Sequence, residues 1–229
     1  MLKCLYIFFI LVLVSCKHHE AKKEISGTTD TVKASATKIA PPEYEKGDRF
    51  KLAADLNGDG KKDTIYESYI SELTGQETFK EVNSDTIDIE KERDIIYANK
   101  PICRLYTNIQ NVDTLIMQKD ANIGLDFLSN LGDLNGDGGD EVGCIVHNNG
   151  FSNLNTYYIL SLTDKNKLDI IFQFQIFEEL LYEDGQEKEL TLFKNHDFVI
   201  KSGPNKFKYK LYTDSATVET METTLPNRK

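Results

Sequence analysis

The sequence predicts an all-β protein, and two observations carry that expectation. After about residue 48 the apolar residues come in short segments rich in β-branched and aromatic side chains, separated by Asp-, Asn- and Gly-rich turns. Among them the run Asp55-Leu56-Asn57-Gly58-Asp59-Gly60-Lys61-Lys62-Asp63 returns as Asp133-Leu134-Asn135-Gly136-Asp137-Gly138-Gly139-Asp140-Glu141. Each copy leads into a strand-like segment, so two β-meander units are expected, each opened by one copy.

The first element lies outside that domain. Lys3 precedes an apolar run over residues 5–14, too short to span a bilayer and suited to a signal peptide covering 1–15. Its end, Leu13-Val14-Ser15-Cys16, resembles the lipobox of bacterial lipoproteins, which implies that Cys16 is lipidated and becomes the mature N-terminus. Several acyl chains on one residue anchor stably, each buried methylene adding about 0.8 kcal/mol. An ordinary secretory signal that ends in cysteine is the alternative. Lys17, not Asp, follows Cys16; by similarity to lipoprotein sorting, this implies the outer membrane of the cell envelope. From Cys16 to residue 47 the chain is polar, carries Pro41-Pro42 near its end and shows no hydrophobic period. It reads as a flexible tether, with His18 and His19 solvated.

The domain is expected over 48–229. Strand 49–54 enters the first loop (55–63) and 64–70 leaves it. A hard cation such as Ca²⁺ takes oxygen ligands, and alternating carboxylates and amides about a glycine turn supply several from one short loop. In the first copy the candidates are the side chains of Asp55, Asn57, Asp59 and Asp63 with the carbonyl of Lys61. In the second (133–141) they are Asp133, Asn135, Asp137 and Glu141 with the carbonyl of Gly139. Gly60 and Gly138 stand at the sixth place, where the chain must bend and positive φ is expected. An EF-hand begins the same way but needs an acid at its twelfth position and helices on both sides. Tyr66 and Cys144 stand there instead, inside strand-like sequence, which excludes an EF-hand.

The strand–loop–strand signature resembles the calcium loops of the FG-GAP and VCBS repeat families, known from integrin-type β-propellers. The likeness is confined to the loops, since the flanking FG and GAP signatures are absent. It implies two Ca²⁺ sites on the residues named above, and meanders arranged as a partial propeller or an irregular sandwich. With no acid at position twelve, affinity is expected at roughly 10⁻⁴–10⁻³ M, as in extracellular calcium modules. An Asx- and Gly-rich turn that holds no metal is the alternative.

Between the loops, 85–98 is the one candidate helix, although its apolar residues fit neither period well. Segments 101–107 and 113–118 read as a hairpin about Asn108-Ile109-Gln110-Asn111. Strand 125–131 enters the second loop and 142–147 leaves it; further strands are expected at 155–162, 168–177, 189–193, 198–201 and 206–212. The stretch 170–177 is apolar enough for a central strand, and should be covered because exposure would invite aggregation. Trp is absent, so Tyr and Phe must supply the large apolar side chains.

Twenty-seven basic residues against 37 acidic ones give a net charge of −10, more negative still once Lys3 leaves with the signal. That balance argues against nucleic acid as a partner, because phosphate binding needs a basic face. Two Ca²⁺ ions would offset part of it. Cys103 and Cys144 both fall in expected strands, as one disulfide in an oxidising compartment or as two buried thiols.

Signatures of common enzymes are missing: no Gly-x-Ser-x-Gly, His-Glu-x-x-His, phosphate-binding glycine loop or Cys/His cluster occurs. No catalytic residue is assigned, and His147 and His196 read as turn residues. Triplets such as Asp30-Thr31-Val32 are similar to the O-glycosylation pattern of some bacterial secreted lipoproteins, with Thr31 the site to test. The expectation is a non-enzymatic, calcium-stabilised, lipid-anchored envelope module that binds a protein or glycan. The alternatives are an envelope hydrolase or enzyme inhibitor with calcium near a substrate cleft, and a subunit of a larger envelope complex.

Overall fold

The computed structural model describes residues 43–83, 87–148, 154–163, 166–177, 198–213 and 217–225. The expected signal peptide, Cys16, most of the tether with Thr31, strand 189–193 and His196 lie outside the described residues. Among those described, no helix is long and apolar enough to cross a membrane.

In chain order the elements are β1 (Glu43–Glu45), β2 (Lys51–Ala54), β3 (Asp63–Ser71), β4 (Glu81–Asn83), α1 (Ile89–Ala98), β5 (Pro101–Thr107) and β6 (Leu115–Lys119). They continue with β7 (Leu125–Gly132), β8 (Glu141–Val146), β9 (Leu154–Thr163), β10 (Lys167–Phe177), β11 (Val199–Gly203), β12 (Lys206–Thr213) and β13 (Thr217–Thr224). Three antiparallel sheets result, with orders β2-β3-β5-β6, β7-β8-β9-β10 and β11-β12-β13, and β1 pairs with β4 as a ribbon. The fold is all-β. Both acidic loops occupy the same place in their sheets: residues 55–62 join β2 to β3, and 133–140 join β7 to β8.

The structure departs from expectation in four places. β11 and β12 fall where strands 198–201 and 206–212 are expected, but the Thr- and Glu-rich β13, which pairs with β12 from Thr213↔Thr217 to Lys206↔Thr224 and makes a separate third sheet, was not foreseen. The end of the expected tether is already folded, since Glu43↔Asn83 through Glu45↔Glu81 form the ribbon. The helix begins at Ile89, where Asp88 caps it by accepting from the Lys91 N–H at 2.8 Å. Strand β10, expected to be central, is the edge of the second sheet. Its apolar face is nonetheless covered: Phe174 lies 4.8 Å from Tyr209 and Phe172 5.2 Å from Phe207, centroid to centroid. A register shift between Ile170 and Phe172 interrupts the ladder, a device that blunts sheet edges.

Alternation explains the layering. From β8, Val142, Cys144 and Val146 pack with Ile65, Tyr69, Cys103 and Leu105 of the first sheet. Ile145 instead joins Tyr157, Ile159, Phe174, Phe198 and Phe207 toward the third. The second sheet thus has both faces covered, all six residues of β8 are buried, and polar alternation is lost there. The second seam is aromatic, as a chain without Trp requires. Gly143 belongs to this packing: a Cβ there would stand 2.7 Å from Tyr157 Cζ and closer still to its hydroxyl.

Cys103 on β5 and Cys144 on β8 are free, buried thiols in the first seam, so the disulfide alternative is not what the structure holds. Burial pushes both thiols well above their ordinary range, which makes them inert packing residues.

Candidate functional site

The two acidic loops share two internal hydrogen bonds. In the first, Asn57 Oδ1 accepts from the Asp59 N–H at 3.0 Å and Asp59 Oδ1 from the Lys61 N–H at 2.8 Å. In the second, Asn135 Oδ1 accepts from the Asp137 N–H at 2.8 Å and Asp137 Oδ1 from the Gly139 N–H at 2.9 Å. Position nine faces the same stretch of backbone in both copies. Glu141 accepts from the N–H groups of Leu134 and Asn135 at 2.7 and 3.1 Å, while the backbone dipoles of Leu56 and Asn57 lie toward Asp63 and favour its charge. Position one differs in detail: Asp55 accepts from Asp59 and Gly60, whereas Asp133 accepts from Gly136. Gly60 (φ 81°) and Gly138 (φ 99°) adopt the left-handed backbone expected of the sixth place.

The loops face each other. Asp140 donates its N–H to the Asp55 carbonyl at 2.7 Å, and Asp55 donates its own to Asp140 Oδ2 at 2.9 Å. Asn130 holds that carboxylate from β7 at 2.8 Å. Gly58 lies so close to Gly138 that a Cβ would stand 3.0 Å from its carbonyl, and a Cβ on Gly139 would stand 2.6 Å from Leu56 O. Only glycine permits this approach. The second loop also meets the third sheet, for Lys201 donates to the Asp133 carbonyl and Asn205 sits against Gly136. Asp140, Asn130 and Lys201 were not singled out from the sequence. Asp140 is part of the repeated run, but nothing in spacing alone shows that it reaches across to the other copy.

The oxygen chemistry suits a divalent cation better in the first loop. Burial raises the Asp63 carboxyl above its ordinary range, and the nearby charges of Asp59 and Asp55 push it further. Its Oδ2 is closed off from solvent without a hydrogen-bond partner. A divalent ion would relieve both costs. In the second loop the Asn135 amide does part of that work, its Nδ2 donating to Asp137 Oδ2 and Glu141 Oε1 at 2.8 Å each. Glu141 is fully buried, and desolvation lifts its carboxyl to about 7 despite hydrogen bonds from Ser161, Leu134 and Asn135. Among the described residues no three His, Cys, Asp or Glu side chains converge as a ready metal cluster. Calcium would have to draw on the amides and carbonyls as well, and the Asn135 amide would have to turn.

His147, read as a turn residue, has a carboxylate beside it: its Nδ1 lies 2.7 Å from Asp126 Oδ2, with both side chains largely buried. Asp126 Oδ2 itself, Asn148 Oδ1 and Asn155 Nδ2 are buried without hydrogen-bond partners among the described residues, so the His147–Asp126 contact is a close approach rather than a formed hydrogen bond. Asp126 is on β7 and His147 follows β8, so only strand pairing brings them together.

No family model, curated protein or solved structure matches this chain.

Proposed function

We propose that the chain is a calcium-stabilised, lipid-anchored β module of the cell envelope, seated at the outer membrane, that binds a protein or glycan. The observation that carries this reading is the recurrence of one oxygen-rich loop at one place in two successive meanders, with two of its internal hydrogen bonds repeated. Two unrelated turns have no reason to share both sequence and bonding. The likeness to FG-GAP and VCBS calcium loops supports Ca²⁺ as the ion, and the run ending at Cys16 supports lipid as the anchor. The metal's part is structural: it would neutralise Asp55, Asp59 and Asp63 in one loop and Asp133, Asp137 and Glu141 in the other, and so hold the first two sheets at their contact. Calorimetric titration of calcium into the full chain tests this, with binding at roughly 10⁻⁴–10⁻³ M expected. Metabolic labelling with a fatty acid, lost in Cys16→Ala, tests the anchor.

A second reading rests on His147 and Asp126. An imidazole with a buried carboxylate 2.7 Å away is a candidate general base, and that proximity favours an envelope hydrolase. Turnover of an envelope glycan or peptide that disappears in His147→Ala would favour it over a binding module.

A further inference from the structure

We propose that a cleft at the β2 edge of the first sheet, walled on one side by the stacked pair Tyr66 and Tyr106, binds a short acidic saccharide. This deepens the binding-module reading and rests on it for biological context, while its geometry is independent of the loops. Tyr66 and Tyr106 are direct cross-strand partners, and their rings stack at 5.2 Å with planes 18° apart. Lys51 pairs with Tyr66 on the other side, so Lys51, Tyr66 and Tyr106 form one row across the sheet. The row ends openly: β6 starts at Leu115, opposite Leu105, so no strand residue flanks Tyr106 on its far side. Tyr106 is 41% exposed.

Both tyrosines line a cleft of about 400 Å³ together with Phe50, Lys46, Lys51 and the Arg49–Glu77 pair. That volume lies within the range of small-ligand sites, which join aromatic walls to a few polar groups. The charges decide the ligand. Glu67 is neutralised by Lys80 at 2.7 Å and Glu77 by Arg49 at 3.1 Å. Lys46 and Lys51 have no carboxylate partner among the described residues, and Arg104, beside Tyr106 on the same face, uses its Nε on the Ser68 hydroxyl at 3.0 Å. On a chain of net charge −10, the cleft is locally cationic. A pyranose presents a C–H face to an aromatic ring and hydroxyls to a polar rim, and a carboxylate on it would meet the lysines.

The test is isothermal titration of the full chain with trigalacturonate. Maltotriose, a thymidine oligonucleotide and a glutamate-rich peptide serve as comparisons, each run in millimolar calcium and in chelator. The expected result is binding of trigalacturonate, weakened about tenfold or more by Tyr106→Ala and by Lys46→Glu with Lys51→Glu, and weaker binding of maltotriose. All three positions are exposed or partly so; the lysine variant tests the site even if Tyr106→Ala disturbs the sheet. No trigalacturonate binding, affinity indifferent to both variants, or tighter binding of the oligonucleotide or peptide would overturn the proposal. Saccharide binding without any calcium effect on melting keeps this site and sinks the loop reading. Calcium-dependent melting without saccharide binding does the reverse.

Discussion

Asp55 and Asp140 exchange two hydrogen bonds across a separation of 85 residues, one through backbone groups and one through the Asp140 carboxylate. This joint ties the two repeated loops into one unit, and with them the first and second sheets. Asp140→Ala should therefore cost about 1–3 kcal/mol, because it strands the Asp55 N–H and the Asn130 amide. Asp140→Asn, which keeps an acceptor oxygen, should cost less. Urea unfolding of the three proteins gives the comparison. Since Asp140 is outside the expected ligand set, weaker calcium binding by the first loop in Asp140→Ala would show that the joint couples the sites.

Glu141 gives the calcium-free protein a distinctive response to pH. Its folded pKa, about 7, lies above the ordinary value of 4.5, so the folded state holds the proton more tightly. The associated stability is present in full below about 4.5 and lost as pH rises through about 7, roughly 3 kcal/mol in all. Melting curves of calcium-free protein between these limits should show falling stability, and Glu141→Gln should flatten the slope. With calcium present the trend should reverse, because ligation needs the carboxylate.

Glu67 and Lys80 are buried together beneath Phe50 and Tyr69. Glu67 also accepts from the N–H groups of Phe50 at 3.0 Å and Leu125 at 2.8 Å, which joins β7 to the chain entering β2. Lys80→Ala leaves a buried carboxylate without its cation and should cost about 3–5 kcal/mol. The double variant Lys80→Met with Glu67→Gln should cost clearly less than the sum of the single changes. A denaturation cycle on the four proteins measures the difference.

Gly143→Ala should destabilise the aromatic seam by about 1–3 kcal/mol, since the added methyl overlaps Tyr157, which is buried and boxed in by Phe127, Phe174 and Phe198. Gly143→Ala with Tyr157→Phe should recover part of the loss by removing the hydroxyl that the methyl meets. Thermal unfolding of the pair checks this.

Much of this architecture was legible from local pattern. The strands around both loops follow from β-branched and aromatic alternation, and the loops from oxygen side chains at fixed spacing about glycine. β13 was not legible, because Thr and Glu dominate it and its place is set by pairing with β12. The edge position of β10 was hidden for a related reason: apolar content reports burial of a face, here by the third sheet, and says nothing of which strand lies beside it. The site was legible as two separate loops. Their joint was not, because Asp140 acts through a tertiary contact, and the His147–Asp126 pair likewise exists only after β7 and β8 have paired.

Scanning calorimetry of the full chain, calcium-free and in millimolar calcium, tests the central claim most directly. At ten times the dissociation constant each ion should add about 1.4 kcal/mol, a rise of a few degrees in Tm. In Asp59→Ala with Asp137→Ala that rise should vanish, whatever happens to the baseline. An unchanged melting temperature in the parent chain, with and without calcium, would contradict the account.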